Sequence, residues 1–136
     1  SDIEAGIYTA NHIRNGYSQY MGYVFEKICK QALIELIKQH RFSYTKVGKW
    51  WHKDCEIDLV ALDIERKEIL FVECKWQENV NANKVLANLK EKARNVIWNN
   101  QNRKEKYVIF ARSFEEKQES KGTLLLDLKD IEKMFF

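Results

Sequence analysis

The sequence predicts one α/β domain whose elements follow the order α-β-β-β-α-β, with a strand and a helix appended. Three observations carry this reading. Apolar residues repeat at helical spacing from residue 18 to about residue 40, two short β-branched runs flank a charged turn, and a second helical stretch separates them from another compact apolar run.

Taken in order, residues 1–17 lack clear periodicity and carry Asn11, Asn15 and Gly16, so they read as a loop, an N-terminal extension or a linker ahead of a domain over 18–136. Met21, Val24, Phe25, Ile28, Ala32, Leu33, Leu36 and Ile37 then mark the first helix, with Ser18 as its expected N-cap. Residues 42–51 read as a first strand bent at Gly48. Residues 56–62 and 68–75 are the second and third strands, joined by a hairpin turn over 63–67. A second helix is expected from Asn81 to about Asn99, with Val85, Leu86, Leu89, Ala93 and Val96 inward and Lys84, Lys90, Lys92 and Arg94 toward solvent. Residues 107–111 form a fourth strand, 115–121 a helical turn, 123–126 a fifth strand, and Asp127 caps a last helix through Met134.

Bulk properties narrow the function classes. A 136-residue chain, 45% hydrophobic and 32% charged, is large enough for a core and is neither disordered nor fibrous. The net charge of +3 permits a polyanion partner without requiring one. No apolar run approaches membrane-spanning length and the N-terminus lacks a signal-like pattern, so a cytoplasmic location with no membrane partner is expected. Cys29, Cys55 and Cys74 are odd in number and form no C-x-x-C pair, which fits reduced, mostly buried thiols. His52 and Cys55 have ligand-like spacing, but without a second pair they do not make a zinc site. Adjacent Trp50 and Trp51 cannot both face one side of a strand, so one of them is expected outside.

The charged residues inside the hairpin point to chemistry. If Asp63 closes the turn opposite Glu68, antiparallel counting brings Asp58 opposite Glu73, with Cβ atoms roughly 5 Å apart. At an effective dielectric of about 20, two negative charges at that separation repel by on the order of 3 kcal/mol, and a bound cation relieves it. Strand alternation sets Glu73 and Lys75 on one face and Val72 and Cys74 on the other. A register slip of one residue would separate the two acids.

With Asp58 on one strand and Glu73-Cys74-Lys75 on the next, inside this element order, the chain resembles the PD-(D/E)XK nuclease superfamily. The stretch from Trp50 to Leu62 and then Leu70 to Trp76 looks most like the C-terminal domain of archaeal P-loop ATPases, although Ile57 stands where the superfamily's proline would be. The resemblance spans residues 18–136 and implies a restriction-endonuclease-like core, a central mixed sheet flanked by helices. It implies an endonuclease that hydrolyses DNA phosphodiester bonds with Mg²⁺ or Mn²⁺, branched or structured DNA included. It assigns the metal to Asp58, Glu73, the backbone carbonyl of Cys74, and Glu26 on the first helix, with Lys75 as the catalytic cation. Lys49, Trp76, Gln77, Lys90 and Arg94 flank the expected cleft as nucleic-acid contacts. The other expected partners are an upstream P-loop ATPase module in the same polypeptide and a second copy in a homodimer. The chain itself has no G-x-x-x-x-G-K-[ST] motif. The alternative is a non-catalytic DNA-binding or regulatory domain of such an ATPase.

Overall fold

The computed structural model describes residues 2–39 and 42–136, and His40 falls outside that range. Among the described residues eight elements follow one another: α1 (Asp2–Lys38), β1 (Lys46–His52), β2 (Cys55–Asp63), β3 (Glu68–Lys75), α2 (Ala82–Ala93), β4 (Lys104–Ala111), β5 (Thr123–Leu126) and α3 (Leu128–Phe135). The five strands form one mixed sheet in sequence order, antiparallel from β1 to β3 and parallel from β3 to β5. The change of direction falls where α2 provides the crossover that a parallel pair requires.

Helices cover both faces, because each strand of the sheet's centre is apolar on both sides. On one face α1 inserts Phe25, Cys29, Ala32, Leu33 and Leu36 against Leu59, Ala61, Leu70, Val72, Val108 and Phe110, with Ile131 of α3 beside them. Those helix positions recur at three- and four-residue intervals, one stripe of a helix. On the other face Leu89 and Ala93 of α2 meet Ile57, Ile69, Phe71 and Tyr107. β3 supplies Leu70 and Val72 to the first face and Ile69 and Phe71 to the second, as strand alternation demands. All four are fully buried.

Several boundaries differ from those expected. Residues 2–17 are helical and continuous with α1, so Ser18 lies within the helix and caps nothing. Residues 9–20 are exposed, and with no core stripe to bury they lacked the periodicity by which helices are recognised. β1 starts at Lys46, not at residue 42. α2 starts at its Asn81 cap as expected but stops at Ala93, six residues short. The buried guanidinium of Arg103 explains the stop: it donates to the carbonyls of Ala93, Val96 and Trp98 at 2.6–3.2 Å, taking acceptors that a helix end leaves open. Residues 115–121 are not helical. Val80 bridges to Phe114, and the Glu115 N–H donates to the Val80 carbonyl at 3.0 Å, which ties the start of this segment to the loop before α2. β5 matches the expected span, and Asp127 caps α3 through a reciprocal pair of bonds with Asp130.

Trp50 packs inward on the α2 face and Trp51 is exposed, as adjacency in a strand requires. The three cysteines are free thiols. No helix among the described residues is long and apolar enough to cross a membrane.

Candidate active site

The β2/β3 ladder fixes the geometry of the acids. Asp63 pairs with Glu68 and the register holds without a slip to Leu59 opposite Val72, so the next step brings Asp58 to Glu73. At that step the ladder ends. Gly48 pairs with Val60 and Trp50 with Ile57, leaving the single residue Lys49 opposite both Asp58 and Leu59. This is a β-bulge with the extra residue on β2, a feature that bends a strand and re-aims a side chain. Its effect shows on either side, since Ile57 packs on the α2 face whereas Leu59 packs on the α1 face.

Released from the ladder, Asp58 uses its side chain where a backbone carbonyl would otherwise serve. Its Oδ2 accepts from the Cys74 N–H at 2.9 Å. A strand residue presents N–H and C=O to the same edge, so the Cys74 carbonyl also faces the gap beside Asp58. The Cys74 side chain points the other way, into the α1 face next to Cys29, and its thiol is held well above the ordinary range by that neighbour and by burial.

Asp58 stands between the two helical layers. Glu26 lines one cavity with it from α1, and burial, followed by the Asp58 contact, raises the Glu26 carboxyl above its ordinary value. Glu73 meets it from the α2 side, and burial, followed by the charge of Asp58, pushes Glu73 up to about 7. Only 5% of Glu73 is exposed, so water does little to screen the pair. Among the described residues no three His, Cys, Asp or Glu side chains close around one point. Asp58 bridges its two neighbours without the three converging. The donors are nonetheless all hard oxygens, and a Mg²⁺-like ion needs only one or two carboxylates, with water completing its shell. The donor chemistry fits such a cation.

Lys92 is the residue that sequence reasoning assigned to solvent and the fold brings to the site. Its Nζ lies 3.0 Å from Glu73 Oε1, and the side chain is 26% exposed. It lies one residue before the buried Ala93, at the margin of the packed face of α2, a position that helical periodicity leaves ambiguous. Lys75, two residues after Glu73 and half-buried, ends β3 on the same face by alternation.

The remaining sequence-selected residues take varied positions. Lys49 pairs with Glu56 and lies 3.9 Å from Glu26. Trp76 packs against Phe25, with ring centroids 5.2 Å apart, beneath the Arg112 guanidinium. Gln77 is exposed. Lys90 sits over the Tyr107 ring and Arg94 pairs with Glu91 on the outer side of α2. The residues Glu26, Lys27, Lys30, Lys49, Asp58 and Leu59 line a cavity of 160 Å³ that opens on the α1 side. Lys90 and Arg94 are on the other layer.

A family model described as "Archaea bacterial proteins of unknown function" (DUF234) matches residues 1–105. The chain is 40% identical over 134 residues to Uncharacterized protein MJECL04 of Methanocaldococcus jannaschii, covering 96% of this chain and 30% of that protein. The chain therefore spans about three tenths of the length of the curated relative it matches. No solved structure matches it at a significant level. On the family match across most of its length, the chain belongs to the DUF234 family.

Proposed function

We propose that this domain is a Mg²⁺- or Mn²⁺-dependent endonuclease of the PD-(D/E)XK kind, hydrolysing phosphodiester bonds in DNA, branched or structured DNA included. The observation that carries the reading is the enforced meeting of Asp58 and Glu73 at the end of the β2/β3 ladder, with Glu73 buried and raised to about 7. Evolving a fold that presses two acids together without a cation costs stability for no structural return. A divalent ion, when bound, supplies positive charge to the phosphoryl oxygen and acidifies a water. Asp58 and Glu73 would hold it, the Cys74 carbonyl would add an oxygen, and Glu26 would ligate directly or through water. Lys75 would place its ammonium against the phosphate, where charge develops. A cytoplasmic location and attachment to a P-loop ATPase module elsewhere in a longer polypeptide belong to the same proposal, as does a homodimer.

The second reading is a non-catalytic DNA-binding or regulatory domain, and one observation favours it: Lys92 already neutralises Glu73 from within the protein. Plasmid nicking separates the two. With Mg²⁺ or Mn²⁺ the native chain should nick supercoiled DNA, and Asp58→Ala and Lys75→Ala should not. DNA binding by pure native protein that neither cleaves nor takes up metal would leave only the second reading.

A further inference from the structure

The exposed face of α1 leads directly into the acid cluster. Tyr20, Tyr23, Lys27 and Lys30 follow one another at intervals of three, four and three residues, which places them along one side of the helix. Tyr20 and Tyr23 are 63% and 57% exposed, so both rings face solvent on this side of the helix. Lys27 lies over the Tyr23 ring, 4.4 Å from its centroid, and both Lys27 and Lys30 line the cavity that contains Glu26 and Asp58. Lys49 joins them from β1. Charge along this part of the helix is one-sided. Between residues 5 and 34 the only acid is Glu26, which is turned into the site, against Arg14, Lys27 and Lys30.

Rings exposed to solvent and lysines that converge on a cavity suit different parts of one ligand. Exposed tyrosines offer π-faces on which unpaired bases stack, and lysines offer point charges for a phosphate backbone. A closed duplex hides its base faces and cannot use the tyrosines. We propose that the Tyr20-Tyr23-Lys27-Lys30 face of α1, with Lys49, is a binding track for a single nucleic-acid strand, feeding its backbone into the cavity at Asp58. This inference rests on the phosphodiesterase reading for its direction, toward Asp58, but its binding face is independent of turnover. It places the substrate strand on the α1 side of the sheet and gives α2, with Lys90 and Arg94, no contact with it.

Fluorescence anisotropy with a labelled single-stranded oligonucleotide and the matching duplex, using the intact chain, tests it. Single strand should bind at least about tenfold more tightly than duplex. Tyr20→Ala with Tyr23→Ala should weaken strand binding by about tenfold or more while leaving the salt dependence unchanged. Lys27→Ala with Lys30→Ala should weaken it too and reduce the slope of log affinity against log salt by roughly 1.4, the single-strand value for two lost phosphate contacts. Asp58→Ala should keep strand binding and lose cleavage. Equal or tighter binding of duplex overturns the track, as does unchanged strand binding in both double variants. If native protein binds strand through these residues yet never cleaves, the nuclease reading fails and the track stands. If it cleaves but the double variants bind and cleave like native, the track fails alone.

Discussion

The β2/β3 hairpin holds two pairs of acids, one at the turn and one just past the open end of the ladder, and their electrostatics are opposite. At the turn, Asp63 faces Glu68. Asp63 accepts from Ser43 Oγ at 2.6 Å and from the Arg66 N–H at 3.0 Å, and these bonds, the Ser43 contact first, hold its carboxyl below the ordinary range. Glu68 accepts from the Tyr44 hydroxyl at 2.7 Å and lies 3.2 Å from Lys106. Every carboxylate there has donors of its own. At the open end Asp58 has one backbone N–H, Glu73 has Lys92, and the two acids still press on each other and on Glu26. The same strand geometry thus makes a structural pair where the surroundings donate, and a poised pair where they do not. A sequence with two acids opposed across a hairpin does not by itself reveal which of these it has made.

That contrast can be broken at several points. The largest effect belongs to the open end: Asp58→Ala or Lys75→Ala should lower metal-dependent nicking by at least about 100-fold, whereas Tyr44→Phe at the turn should leave nicking unchanged. Nicking that survives Asp58→Ala would sink the assignment of that pole.

Next in size is a pH effect. Glu73 ordinarily titrates near 4.5 and is raised to about 7 in the fold. Its protonation therefore stabilises the metal-free protein fully below 4.5, and that contribution is lost as pH rises through 7. Glu73→Gln should remove the dependence, making the variant more stable than native at pH 8 by up to about 3 kcal/mol. Urea unfolding at pH 5 and pH 8, without metal, measures it; an unchanged difference between native and variant at the two pH values would refute the shift. Metal affinity should have the reciprocal form, since binding requires the carboxylate. It should strengthen about tenfold per pH unit up to about 7 and then level off, which calorimetric titration reads.

Smaller effects sharpen the comparison. Lys92→Met should cost about 1–2 kcal/mol in metal-free protein above pH 7, and added Mg²⁺ or Mn²⁺ should restore the loss, because the cation replaces the missing ammonium. Tyr44→Phe should cost a similar ~1–2 kcal/mol by leaving Glu68 short of a donor, and no metal should restore it. Metal rescue of both variants, or of neither, would erase the distinction between the two ends.

How much of this was legible beforehand depends on periodicity. α3, β5 and the hairpin were readable because alternation, a capping Asp127 and a charged turn are local signals. The register was an assumption, that Asp63 closes the turn opposite Glu68; alternation could not exclude a slip, and the ladder of the folded hairpin bears the assumption out. Residues 2–17 were not readable as helix, since the stretch from residue 9 to residue 20 is exposed all round and carries no stripe. The end of α2 was hidden because Arg103, ten residues after Ala93, decides it. Lys92 was assigned to solvent because one residue of rotation on a helix separates the packed face from the free one.

The amino-acid sequence by itself determined the element order and the apolar faces, which depend on short-range spacing and strand alternation; the opposition of Asp58 to Glu73 followed only once the structure fixed the register. Tertiary structure alone decided what each acid faces. The bulge opposite Lys49 turned Asp58 out of the ladder, α1 delivered Glu26 and α2 delivered Lys92. These contacts join residues far apart in the chain, and a carboxylate's charge state depends on the burial and donors that only such contacts create.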